Sequence, residues 1–191
     1  MSPILGIWAS QNYQRVAPDT GAMFPLGMVQ VGSAGSATIS FTSIPATYKH
    51  LQIRAIGGNT TATLDYNTMT ATFNSDTGSN YSTHRLYGTG SSAAAQGYQD
   101  TSSMYVGVTN NNALSYSIYS PAIIDILDYA NTSKYKTVRV LAGNENNNAG
   151  YGVVYFNSGS WRSTSAITSI QFSPGSGNFA QYSSFALYGI K

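Results

Sequence analysis

Residues 37–42 read Ala-Thr-Ile-Ser-Phe-Thr (ATISFT), and residues 51–55 read Leu-Gln-Ile-Arg-Ala (LQIRA). In the first run Ala37, Ile39 and Phe41 fall on one side of an extended chain, with Thr38, Ser40 and Thr42 on the other. In the second, Leu51, Ile53 and Ala55 alternate with Gln52 and Arg54. Successive side chains of a strand point to opposite faces, so this period of two marks strands buried on one face only.

The same pattern recurs outward from these two runs. It appears at Ala71 and Phe73, at Met104, Val106 and Val108, at Leu114, Tyr116 and Ile118, at Val138 and Val140, and at Phe185 and Leu187. Residues 151–157 and 166–172 complete a set of about nine or ten strands separated by Gly, Asn, Ser and Pro. Turn signals stand at Gly57-Gly58, 110–112, 146–148 and Pro174-Gly175. One segment, 120–130 (SPAIIDILDYA), spaces Ile123, Ile124 and Leu127 as a helical turn would, with Pro121 suited to a first turn; it reads nearly as well as a strand. No alternation of strand and helix occurs, so the economical architecture is two packed antiparallel sheets, an all-β sandwich.

The first 27 residues are different. Pro3, Pro18 and Pro25, with Gly6, Gly21 and Gly27 between them, deny regular structure. Residues 1–27 therefore read as an extended arm and 28–191 as one β-domain, a division that suits a chain of 191 residues. Ile4, Leu5, Ile7 and Trp8 supply the arm with an apolar anchor that is costly to leave in water. That anchor lies either on the arm's own domain or in a groove of a neighbouring subunit. Residues 1–10 lack the basic start and full apolar stretch of a secretion signal, and no run is long enough for a membrane span.

Asp, Glu, Lys and Arg make up only 8% of the chain, against about 25% in an ordinary soluble domain. So little surface charge gives weak protection against self-association, which points to a component of an assembly. The net charge of +2 is scattered, so nothing offers a run of phosphates a partner and nucleic acid is not expected. The absence of cysteine excludes disulfides, thiolate metal sites and cysteine catalysis. Asp125 and Asp128 are the closest pair of acids and would share a face if 120–130 were helical, but acids beside Ile123, Ile124 and Ile126 read better as polar edges of a buried element. His50 and His84 have no ligand spacing, so no metal, cofactor or catalytic residue is assigned. Residues 74–80 (NSDTGSN) place oxygen side chains around a glycine as a calcium loop does, yet they lack its closing glutamate and read as a turn.

Aromatic residues are plentiful, with fifteen Tyr and seven Phe. Tyr81, Tyr87, Tyr98, Tyr129, Tyr151 and Tyr182 lie among Ser, Asn and Gly in what read as loops. Of these, Tyr81, Tyr87, Tyr98 and Tyr151 are the candidates for contact with a glycan or a protein partner, because tyrosine offers both a flat apolar face and a hydroxyl.

Five segments carry a family resemblance: residues 1–7 (MSPILGI), 44–55 (IPATYKHLQIRA), 73–85 (FNSDTGSNYSTHR), 124–137 (with Asp-Tyr and Lys-Tyr-Lys) and 167–191, ending SSFALYGIK. Together they resemble a module found in tailed-bacteriophage virion proteins of the head-decoration and tail-fibre types. The resemblance implies a jelly-roll-like β-sandwich assembled as a homotrimer on the virion surface, made in the bacterial host cytoplasm, and it implies no enzyme. Its implied partners are other virion proteins, major capsid or tail. No shaft repeat precedes the β-domain, which favours a capsid decoration or cement protein attached through its arm. The alternative is a tail-fibre or receptor-binding adhesion module recognising a host surface glycan.

Overall fold

A computed structural model describes residues 21–63, 65–111, 113–147 and 152–191. Among them are twelve strands: β1 (Met23–Gln30), β2 (Ile39–Phe41), β3 (His50–Gly57), β4 (Tyr66–Phe73), β5 (Tyr81–Gly88), β6 (Ala93–Thr101), β7 (Met104–Asn110), β8 (Ser120–Leu127), β9 (Lys136–Asn144), β10 (Val153–Trp161), β11 (Ile170–Pro174) and β12 (Ser184–Ile190). A single helical turn, α1 (Ala113–Tyr116), links β7 to β8. The strands form an eight-stranded sheet in the order β1-β12-β3-β8-β9-β10-β5-β6 and a four-stranded sheet in the order β2-β11-β4-β7. Every pairing between named strands is antiparallel. The molecule is an all-β antiparallel sandwich.

The period-two runs place one face of each strand in the space between the sheets. Leu51, Ile53 and Ala55 of β3, Ile124 and Ile126 of β8, and Val138 and Val140 of β9 are buried there. They meet Ile39, Phe41, Ala71, Phe73, Ile170 and Phe172 of the smaller sheet. Phe185 of β12 anchors the middle, with its ring centroid 5.2 Å from those of both Phe172 and Phe179.

Three readings of the sequence change. Residues 120–127 are a strand throughout. Ala122, Ile124 and Ile126 face the core while Ile123 and Leu127 point outward, so apolar residues on both faces imitate a helical spacing. Pro121 is tolerated because it stands at the strand's beginning. Leu114 and Tyr116, expected on a strand, belong to α1 and are largely exposed; the chain is crossing there from one sheet to the other and only Ala113 is buried. Finally, β1 already covers residues 23–27, ahead of the boundary expected at residue 28. Residues 23–27, assigned to the arm because of Pro25, are the first half of β1, an edge strand with a register shift between Pro25 and Gly27. An edge position with such an irregularity accommodates a residue that has no N–H to donate.

The turn after β8 carries a local charge cluster. Asp128 adopts a left-handed φ of 48°. Its carboxylate pairs with Lys134 and, at 2.9 Å, with Lys49, while its amide donates to His50 Nδ1 at 2.9 Å. The hydrogen bond from Lys134, then that from Lys49, holds the Asp128 carboxyl down at about 2. A carboxyl depressed on folding contributes stability above its unfolded value, and this contribution is lost as the pH falls through the folded value. Thermal melts of wild type and Asp128→Asn should therefore differ above about pH 4 and converge as the pH approaches about 2. A gap that persists unchanged at the acid end would refute the ion-pair account.

Candidate functional site

The β5–β6 hairpin extends the large sheet beyond the others and folds opposite β7, the edge of the small sheet. Period two sends Tyr81, Thr83, Arg85 and Tyr87 of β5 toward the interior of this overhang, and His84 and Leu86 to the outside. Across the register, Asn157 of β10 stands opposite Arg85, as does Gln96 of β6, and Tyr98 of β6 stands opposite Thr83.

Arg85 is the hub. Its guanidinium carbon lies 4.4 Å from the ring centroid of Tyr105, 5.0 Å from Tyr155, 5.2 Å from Tyr98 and 5.5 Å from Tyr87. All four are within reach of a cation–π attraction. The same guanidinium donates to Gln96 Oε1 and, at 2.9 Å, to the Tyr98 hydroxyl. Tyr98 and Tyr105 are almost parallel, at 5°, with centroids 6.2 Å apart. Tyr155 touches Tyr66 and Tyr87. Burial pushes the Tyr105 and Tyr155 hydroxyls above the usual tyrosine range, so both remain protonated donors.

A cleft of about 470 Å³ opens beside this cluster, between β6 and the β4–β7 edge. Tyr98 and Tyr105 line it with Asp100 and Thr101 of β6, Ser102 and Ser103 of the β6–β7 turn, and Thr70, Ser79 and Thr83. Asp100 has a left-handed φ of 56° and is held by Arg162 at 2.5 Å. Arg162 in turn donates to the Ser79 carbonyl at 2.5 Å, tying the cleft's floor to the end of β10.

The tyrosine candidates separate. Tyr87 and Tyr98 belong to the aromatic cluster. Tyr81 does not face a partner: it is fully buried, accepts from the Phe73 amide, donates to the Asp76 carbonyl and lies nearly parallel to Trp161, which makes it a core residue. Its burial pushes its hydroxyl up to about 12. Tyr151 and the arm residues Ile4, Leu5, Ile7 and Trp8 lie outside the described residues. Sequence reading missed Arg85, Tyr66, Tyr105 and Tyr155. An alternation count over residues 81–88 would have placed Arg85 and Tyr87 on one face.

The 74–80 loop is a turn closed on itself. Asp76 accepts from the Gly78 amide at 2.9 Å, from Asn80 Nδ2 at 2.9 Å and from the Trp161 indole at 2.7 Å. The indole bond chiefly lowers the Asp76 carboxyl below its ordinary value. Asp125 and Asp128 are likewise taken by separate partners, Asp125 by Gln52 at 2.8 Å and Arg139 at 2.9 Å. Among the described residues no three His, Asp or Glu side chains gather as a metal site would require.

The outer face of the large sheet is a second surface. Ile123, Leu141, Phe156, Leu86 and Ala95 stand in direct register across β8, β9, β10, β5 and β6, forming one apolar row. Leu141, Phe156 and Leu86 are each more than half exposed, and Val154 and Ile56 lie alongside. A parallel polar row, Gln52, Asp125, Arg139, Ser158 and His84, runs along its other side. The apolar side chains leave on the order of 500 Å² in water, near the upper end of what a monomer exposes as one patch.

No protein-family model matches the sequence, and neither does any curated protein. Among solved structures, the chain aligns with a crystal structure of Scytalido-glutamic peptidase with a peptide-based transition state analog, at 12% identity and a TM-score of 0.24. The alignment covers 81% of this chain and 63% of that one, so the chain spans less than two thirds of that structure, a likeness too slight to carry an argument about function.

Proposed function

We propose that the chain is a structural component of a bacteriophage virion, a capsid decoration or cement protein held to other virion proteins by its N-terminal arm. The observation that supports a self-assembling component is the apolar row across the outer sheet face, in a chain with only 8% charged residues; the virion role follows the resemblance carried by residues 1–7, 44–55, 73–85, 124–137 and 167–191. Such a face is covered when copies of the chain pack against one another, and the adjoining Asp125–Arg139 row supplies both signs of charge at its edge. About 500 Å² of apolar contact with its polar margin approaches the roughly 800 Å² per partner of a standard interface. The strand order supports a jelly-roll-like sandwich. β1-β12-β3-β8 packs over β2-β11-β4-β7, with consecutive strands alternating between the sheets, while the β5–β6 and β9–β10 hairpins widen the larger one.

Light scattering tests the assembly directly. The expected mass is that of three chains, and Phe156→Glu, which places a charge in the middle of the row, should shift it to one chain without changing the β-type circular dichroism spectrum. A wild-type mass of one chain at every concentration would overturn the homotrimer.

A second reading, a tail-fibre or receptor-binding module, is favoured by the aromatic cleft under the β5–β6 hairpin, which lies apart from the apolar row on the opposite face of the same strands.

A further inference from the structure

We infer that the cleft between β6 and the β4–β7 edge is a saccharide-binding site for an uncharged mono- or disaccharide unit. This goes beyond the assembly role and does not rest on it. The chemistry of the lining selects the ligand class. All nine side chains around the cleft end in a hydroxyl or a carboxylate: six are Ser or Thr, two are tyrosines and one is Asp100. No aliphatic side chain lines it, which excludes a lipid or an apolar peptide anchor, and no basic side chain lines it, which disfavours phosphate and nucleic acid. Sugars need what is present: an aromatic face for their C–H surface and acceptors and donors for their hydroxyls.

The aromatic members are pre-set. Arg85 fixes the Tyr98 hydroxyl at 2.9 Å and lies 4.4 Å from the Tyr105 ring centroid, so both rings are oriented before any ligand arrives. Arg85 is a positioning residue here, since its guanidinium acts through the rings. Asp100 is oriented by Arg162 at 2.5 Å yet stays largely exposed, leaving oxygen free to accept from vicinal hydroxyls. The cleft volume of about 470 Å³ falls within the range of small-molecule sites.

The test is titration calorimetry of the full chain with neutral gluco-, galacto- and manno-oligosaccharides, and with uronic-acid oligosaccharides and oligothymidylate as competitors of other chemistry. At least one neutral oligosaccharide should bind. Tyr98→Ala and Asp100→Asn should each weaken it by about tenfold or more, and Tyr98→Phe, which keeps the ring, by about threefold or less. Tyr182→Ala, outside the cleft, should bind as wild type does, and melting curves of all variants establish that each is folded. A blank result across the neutral panel, equal binding by wild type and both cleft variants, or a preference for the acidic or nucleotide probes would each overturn the assignment. None of these outcomes depends on the mass measured by light scattering, so the cleft and the assembly fail separately.

Discussion

On the proposed virion role, deletion of residues 1–12 is expected to abolish incorporation into particles while leaving the sandwich folded, with an unchanged β-type circular dichroism spectrum. The segment removed contains Ile4, Leu5, Ile7 and Trp8, and the first strand among the described residues begins at Met23. Burying four such side chains contributes on the order of 6 to 10 kcal/mol, at roughly 1.5 to 3 kcal/mol each. Ordering the backbone opposes this by about 1 to 2 kcal/mol per residue fixed. The net affinity of one arm is therefore modest, and on the proposed trimer three arms acting together convert it into firm attachment through effective concentration. Occupancy on particles, measured by quantitative gel analysis of purified virions, reads the effect. Wild-type occupancy by the truncated chain would move attachment from the arm to a face of the sandwich.

Asp76→Ala should be among the most destabilising single substitutions on the surface of this protein, lowering stability by about 3 kcal/mol. The cause lies beneath the loop. The Trp161 indole is almost fully buried, and its N–H has Asp76 as acceptor at 2.7 Å. Removing the carboxylate leaves that donor without a partner in a site packed by Phe73 and Tyr81, and also frees the Gly78 amide and Asn80. A buried donor stripped of its acceptor bears the full desolvation cost, which exceeds the net value of an ordinary hydrogen bond. Asp76→Asn keeps one acceptor oxygen and should lose about half as much. Urea denaturation reads both as midpoint shifts at constant slope. A shift below about 1 kcal/mol for the alanine variant would show that the carboxylate is screened by water and contributes little.

How much of this was legible follows the burial of each strand. Leu51 with Ile53 and Val138 with Val140 announce their strands because one face is core and the other water. β8 was ambiguous because Ile123 and Leu127, on its outer side, are as apolar as Ile124 and Ile126 within. β6 was silent because Ala95 to Asp100 are exposed on both faces, so no periodic signal exists to read. The tyrosines stand out individually in the sequence, yet Tyr81 sits among Ser and Asn there while its ring lies against Trp161, eighty residues further along. The cleft had no local signature at all. Its residues come from β4, β5, β6 and β7 and the turns beside them, and only the pairing of strands brings them together.

The place of β12 in the large sheet has a consequence for synthesis. It is inserted between β1 and β3, and among the described residues β1 has no other strand to pair with. During translation β1 and one side of β3 must therefore wait, with open backbone edges, until β12 leaves the ribosome. Closure of this layer is expected to be slow and to follow the synthesis of β12, since its pairings join distant parts of the sequence. A ribosome that stops before Ser184 releases a chain with two bare, hydrogen-bonding edges flanking the space meant for β12. Such chains should aggregate rather than accumulate as soluble fragments, so that only copies translated through β12 remain soluble.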